Sequence, residues 1–198
     1  NRSRYLPDRR DLNRLFPGSP TGSLGGRLAN VLISELVPHC DAVVDLHTGS
    51  VNKANLPQVR VTRGDDASID LAAAFNAPVT LNGTASDGTF RKSCFDLGIP
   101  CVLYESGEAL RLDTASIRFG RRGVLGVMRH LGMRAKKNSA KKVTSNTVIC
   151  EKSYWERAHE GGLFTPLISL GKAVRAGDVL GFIADPLGDY EKEVIASR

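Results

Sequence analysis

The sequence predicts an α/β layered domain, with a mostly parallel sheet flanked by helices, followed by a small all-β domain. Helix-period and strand-type segments alternate from residue 23 to residue 131, the pattern of strands joined by covering helices. The segment 99–104 (IPCVLY) is a continuous apolar run, as expected of a strand buried on both faces. Beyond residue 134 the composition turns polar and basic, then rich in β-branched residues punctuated by glycine turns.

The elements follow in order. The first twenty residues are rich in Arg, Asp, Pro and Gly, and Pro17, Gly18 and Pro20 stop any helix there. Residues 23–37 place Leu24, Leu28, Val31, Leu32 and Leu36 at helical spacing, which predicts a helix with one apolar face. A short strand at 41–46 (DAVVDL) runs straight into His47, Thr48 and Gly49. Further strands are predicted at 59–62 and 78–81, and helices at 68–75, 90–97 and 116–131. The strand 99–104 ends in Glu105, Ser106, Gly107 and Glu108. The domain expectation is therefore 1–135 for the α/β part and 143–198 for the β part, with a basic linker at 134–145. Turns in the β part are expected at Gly161-Gly162, Gly171-Lys172 and Ala176-Gly177-Asp178.

Composition bounds the function classes. A chain of 198 residues, 41% apolar and 24% charged, can build one core with a small appendage and does not have a disordered composition. No apolar run approaches the roughly 18 residues of a membrane span, so no membrane partner is expected. Cys40, Cys94, Cys101 and Cys150 form no C-x-x-C pair. With no secretory-signal pattern in view, they read as free thiols of a cytoplasmic protein. The net charge of +6 is local: nine Lys/Arg and no Asp/Glu lie between residues 118 and 142. A solvated helix and linker accounts for that stretch, and an anionic partner is the alternative. With one aromatic residue (Phe119) and no recognised motif, a nucleic-acid partner is not expected. Self-association is left open.

Several residues could carry chemistry. His47 follows a buried strand, where a ring nitrogen can reach a metal, and Asp45 could support it; a structural histidine is the alternative. Glu105 ends an apolar strand, where partial burial suits a carboxylate to general-base work; pairing with an arginine is the alternative. Glu108 is a weaker candidate. In open α/β sheets ligands bind beyond the strands' carboxyl ends, and both His47 and Glu105 occupy that position. The loop Asp11-Leu12-Asn13-Arg14 sets a carboxylate, an amide and a guanidinium side by side. Arg14 could fork a substrate carboxylate and Asn13 could donate to the same group, unless Arg14 pairs with Asp11 instead. Arg4 and Arg91 are further cations.

Taken together, RYLPDRRDLNRLFPG, DLHTG, NLPQVR, FRKSCFDLGIP and YESGE occur in that order between Arg4 and Glu108. That order resembles the succinylglutamate desuccinylase and aspartoacylase family, a branch of zinc-carboxypeptidase-like hydrolases. GGLFTPLISLGKAVRAGDVLGFIADPLGD is similar to the family's C-terminal β domain. The resemblance implies a carboxypeptidase-like fold and zinc-dependent hydrolysis of the amide bond of a small N-acyl amino acid. It implies His47 as a zinc ligand and Glu105 as the catalytic carboxylate. Asn13 and Arg14 would hold the substrate carboxylate, with Arg4 and Arg91 as helpers. The family's H-x-x-E pair of zinc ligands is not in these 198 residues. We therefore expect a longer enzyme, with both domains incomplete here, weak zinc binding by these residues alone, and an exposed sheet edge. The alternatives are a zinc carboxypeptidase acting on peptides, and an inactive fragment or binding module.

Overall fold

The computed structural model describes residues 3–135, 147–188 and 190–198; most of the expected basic linker, from residue 136 to 145, lies outside them. Within them the chain forms two compact units, dividing between Lys152 and Ser153.

The first unit is built on a five-stranded sheet. Its strands are β1 (Val43–Gly49), β2 (Asn55–Thr62), β3 (Val79–Gly83), β4 (Cys101–Glu108) and β5 (Val148–Cys150), in the order β1-β4-β2-β3-β5. β1 pairs with β4, β2 with β3 and β3 with β5 in parallel; the β2–β4 pair is antiparallel. The sheet is thus mainly parallel, as expected. Its strands nonetheless point two ways, and only β1 and β4 end together at the edge that carries His47 and Glu105.

Helices α1 (Leu24–Val31), α2 (Asp66–Phe75), α3 (Phe90–Asp96) and α4 (Thr114–His130) cover both faces. Their starts are written in the sequence. The side chains of Ser23, Asp65, Thr89 and Asp113 each accept a hydrogen bond from a backbone N–H of the first turn. One face buries Val59, Val61, Val102 and Tyr104 of the sheet against Leu71, Ala72 and Phe75 of α2 and Val127 of α4. The other buries Cys101 with Phe16, Ala29, Ile33, Val37 and Cys94, from the N-terminal loop, α1 with its extension, and α3. α4 approaches α2 so closely that a Cβ on Gly126 would lie 2.2 Å from the Ala74 carbonyl oxygen.

Four expectations change. The α1 helix is continued by a wider π-type turn (Leu32–Leu36) and a short 3-10 turn (Val37–His39). It buries Gly25, Ala29, Ile33 and Val37, spaced by four, whereas Leu24, Leu28, Val31 and Leu36 of the expected apolar face are exposed. The reason is steric. A Cβ on Gly25 would lie 2.5 Å from Leu15 Cδ1 of the loop, so the side of α1 that faces the loop has to be the one carrying the small residue. β2 starts four residues earlier than expected, and its pairing with β4 shifts register between Asn55 and Gln58, around Pro57, which has no N–H for the ladder. His47 and Glu105 lie inside β1 and β4 rather than beyond them, because the ladder between the two strands continues to Gly49 and Glu108.

The fourth change concerns 143–150. The part of it that is described, β5, belongs to the first unit. It extends the ladder beyond β3, and the Val148 N–H donates to the Pro78 carbonyl at 2.9 Å. The β-branched Val148 and Ile149 suit any strand, and composition could not tell which sheet they join.

The second unit is an antiparallel three-stranded sheet of β6 (Leu163–Pro166), β7 (Val179–Ala184) and β8 (Glu191–Ile195), with β7 central. Gly171 and Gly177, at the expected turns, both have positive φ.

Candidate active site

Side chains on a strand alternate between faces, and residues level with each other on paired strands share a face. His47 is the Cα partner of Glu105, Asp45 of Leu103, and Arg60 of Leu103 from the other side. Asp45, His47, Glu105 and Arg60 therefore leave the sheet together, on the face covered by α1 and α3. Adjacent strands lie about 4.8 Å apart, which sets the spacing of the His47 and Glu105 backbones.

His47 is half-buried, and its Nε2 lies 2.8 Å from Asp45 Oδ2. That hydrogen bond holds the imidazole pKa above its ordinary value, against the opposing effect of burial; the Asp45 and Glu105 charges act in the same upward direction. It also leaves Nδ1 as the ring nitrogen for a ligand. Gly49 makes room for the turn that follows: a Cβ there would lie 2.0 Å from the Lys53 carbonyl oxygen.

Glu105 Oε2 is 3.0 Å from Arg60 Nη2, with the Glu105 side chain 19% exposed and Arg60 41% exposed. Arginine pairing, one of the two sequence readings, is therefore present. The sequence reading did not single out Arg60. Its signal was there in NLPQVRVT: Gln58, Arg60 and Thr62 alternate with Val59 and Val61, marking a polar strand face.

The loop ahead of α1 approaches α3. Asn13 Oδ1 accepts from the Phe90 N–H at 2.8 Å, so its amide nitrogen is the end left for a ligand. Arg14 is exposed, and its Nη1 donates to the Asn13 carbonyl at 2.5 Å, keeping the guanidinium beside that amide. Arg4, not Arg14, pairs with Asp11: its Nε and Nη2 both lie 2.8 Å from Asp11 Oδ2. Arg4 is close enough to His47 for its charge to oppose protonation of the ring.

Arg91 is not brought to Glu105. Its Nη1 donates to the Val61 carbonyl at 2.5 Å and approaches Thr62 Oγ1 at 3.4 Å. Thr62 lies four residues along β2 from Gln58, the residue level with Glu105. That is a separation of about 13 Å at 3.3 Å per residue. Burial lowers the Arg91 pKa, and the carbonyl satisfies the desolvated guanidinium.

Glu108 accepts from the Asn52 N–H at 3.1 Å and so braces the β1–β2 loop. It borders an open cleft of about 630 Å³ beside α4, where Leu46, Val124 and Leu125 line the wall together with His47, Asp113 and Arg121. β1 is the edge strand beside it, and Leu46 is 59% exposed.

Zinc is the metal implied by the sequence resemblance. An imidazole whose second nitrogen is held by a carboxylate is the form zinc takes as a ligand, and His47 has that form. A catalytic zinc usually takes three protein ligands. Among the described residues, no group of three or more His, Cys, Asp or Glu side chains gathers to hold a metal. His47 fits as one ligand, and the described residues do not make a complete site.

The comparisons with known proteins agree with this architecture. The N-alpha-acetyl-L-2,4-diaminobutyric acid deacetylase of Halomonas elongata is 26% identical over 189 residues, 88% of this chain and 54% of the deacetylase. Among solved structures, a succinylglutamate desuccinylase/aspartoacylase from Rhodobacter sphaeroides superposes with a TM-score of 0.87 at 29% identity. The product-bound ectoine utilization protein EutE (DoeB) of Ruegeria pomeroyi gives 0.84 at 27%. Each match covers 99% of this chain and 62% of the solved one, so the chain spans under two thirds of the length of these relatives. Among the described residues, no helix is long and apolar enough to cross a membrane. Residues 1–131 match the succinylglutamate desuccinylase/aspartoacylase catalytic domain, and the chain belongs to that family.

Proposed function

We propose that this chain carries part of the active site of a zinc-dependent deacylase, one that hydrolyses the amide bond of a small N-acyl amino acid. The observation that carries the reading is the level pairing of His47 and Glu105 on adjacent parallel strands, on one face. Family membership supports the reaction class, and the similarity to a deacetylase of an N-acetylated diamino acid supports the substrate class.

In this reading His47 offers Nδ1 to the metal while Asp45 holds the ring. Zinc, when bound, supplies polarisation of the amide carbonyl and a lowered pKa for the attacking water. Glu105 takes a proton from that water as the C–O bond forms. It returns the proton to the amine nitrogen as the C–N bond breaks. The Asn13 amide nitrogen and the Arg14 guanidinium hold the substrate carboxylate, with Arg4 beside them. Arg91 would have to leave the Val61 carbonyl to join them. The reading requires two metal ligands beyond His47. A cytoplasmic location fits the four free thiols, which suit a reducing compartment.

The test uses the full-length protein that contains this chain. Amine release from a panel of N-acyl amino acids is measured before and after chelation and zinc replacement. The reading expects release that chelation abolishes and zinc restores. Faster cleavage of peptides would favour a carboxypeptidase, and release indifferent to chelation would remove the metal.

A further inference from the structure

We propose that Arg60 is a positioning residue that fixes the orientation of the Glu105 carboxylate. The proposal rests on the deacylase reading above, and its argument is geometric. Arg60 and Glu105 sit on the antiparallel pair β2 and β4, on the same face, with Gln58 directly level with Glu105. Arg60 reaches diagonally across the ladder, and its Nη2 meets Oε2 at 3.0 Å. Both backbones belong to the sheet, so the contact is held by rigid elements rather than by a loop.

The form of the contact argues for aiming rather than for strength. A guanidinium and a carboxylate bind most tightly as a fork, with two parallel N–H···O bonds. Here Arg60 Nε is buried and has no hydrogen-bond partner among the described residues. The ion pair runs from Nη2 to Oε2, which leaves Oε1 for a water or a leaving amine. Glutamate has three side-chain torsions, and an unheld carboxylate would spread over several rotamers. A proton acceptor must lie within about 3 Å of its donor, and misplacement by 1 Å costs about 100-fold in rate. The other cations near this face are occupied elsewhere: Arg4 by Asp11, Arg91 by the Val61 carbonyl, and Arg14 by the Asn13 carbonyl.

The experiment compares Arg60→Met and Arg60→Lys in the zinc-loaded full-length enzyme. Arg60→Met should lower kcat about 10- to 100-fold and change KM less than about threefold. Arg60→Lys should recover most of kcat, because a contact from one nitrogen needs one donor. Loss confined to KM would make Arg60 a substrate-binding residue and overturn the proposal, as would an unchanged kcat. A second readout does not depend on activity. Side-chain couplings of Glu105, measured by NMR, should show a single rotamer in the parent and in Arg60→Lys, and averaging in Arg60→Met. A single rotamer in all three overturns the proposal. Averaging in Arg60→Met from an enzyme inert towards every N-acyl amino acid would uphold the positioning role and sink the deacylase reading instead.

Discussion

His47 and Glu105 are Cα partners in the parallel ladder between β1 and β4, and each has a charged neighbour fixing it: Asp45 at 2.8 Å and Arg60 at 3.0 Å. Two residues 58 positions apart in sequence are thus one strand apart in space, on one face. The consequences can be tested separately.

Asp45 controls the protonation of His47. In the metal-free protein, the His47 ring should titrate above the ordinary imidazole pKa of about 6.5. Asp45→Asn should bring the midpoint down, read by NMR of the ring protons. The sign for stability follows. A pKa raised on folding contributes stability that is fully present below about pH 6.5 and is lost as pH rises through the folded value. Asp45→Asn should therefore destabilise the fold more at pH 5.5 than at pH 8.5. An equal loss at both would contradict the assignment.

Asn13 has two ends, and they can be separated. Asn13→Ala removes the acceptor for the Phe90 N–H and should cost about 1 kcal/mol in urea unfolding. Asn13→Asp keeps an acceptor, so stability should change by less than about 0.5 kcal/mol. It replaces the amide donor with a negative charge, and in the full-length enzyme KM for an N-acyl amino acid should rise at least about tenfold. Equal KM for parent and Asn13→Asp would remove Asn13 from the substrate's carboxylate.

Gly126 marks where α4 meets α2. An alanine Cβ would lie 2.2 Å from the Ala74 carbonyl oxygen, a backbone atom that cannot rotate away. Gly126→Ala should cost about 1–3 kcal/mol, the range for an overpacked contact. Gly83→Ala, in the same unit with nothing within 4 Å of its Cβ, is the control and should change stability by less than about 0.5 kcal/mol. Equal midpoints in urea would show that the helices can separate freely.

The strongest sequence signals were those set by local chemistry. The apolar run 99–104 reads directly as the start of a central strand, whereas the helices expected from residues 68 and 116 start two residues earlier, at Asp66 and Thr114, behind the capping side chains of Asp65 and Asp113. What was not legible depended on partners far along the chain. The periodicity of α1 shows an apolar face, but which side is buried is decided by Gly25 and the loop packed against it. Val148 and Ile149 read as strand, yet their sheet is chosen by the free edge of β3. At the site, the sequence pointed to His47, Glu105, Asn13 and Arg14. It could not show that Arg60 reaches Glu105, because a diagonal ion pair needs the register of an antiparallel ladder. It also could not show that Arg91 turns to the Val61 carbonyl, because that follows from where burial leaves its guanidinium.

The central claim, that the imidazole and the carboxylate serve one reaction, is tested most directly by a double-mutant cycle. The rate constant kcat for an N-acyl amino acid is measured in the full-length enzyme for His47→Ala, Glu105→Gln and the pair. Groups that act as a unit lose function non-additively, so the double variant should be no slower than the slower single variant. Losses that multiply would mean that the two side chains act independently, and would contradict the account.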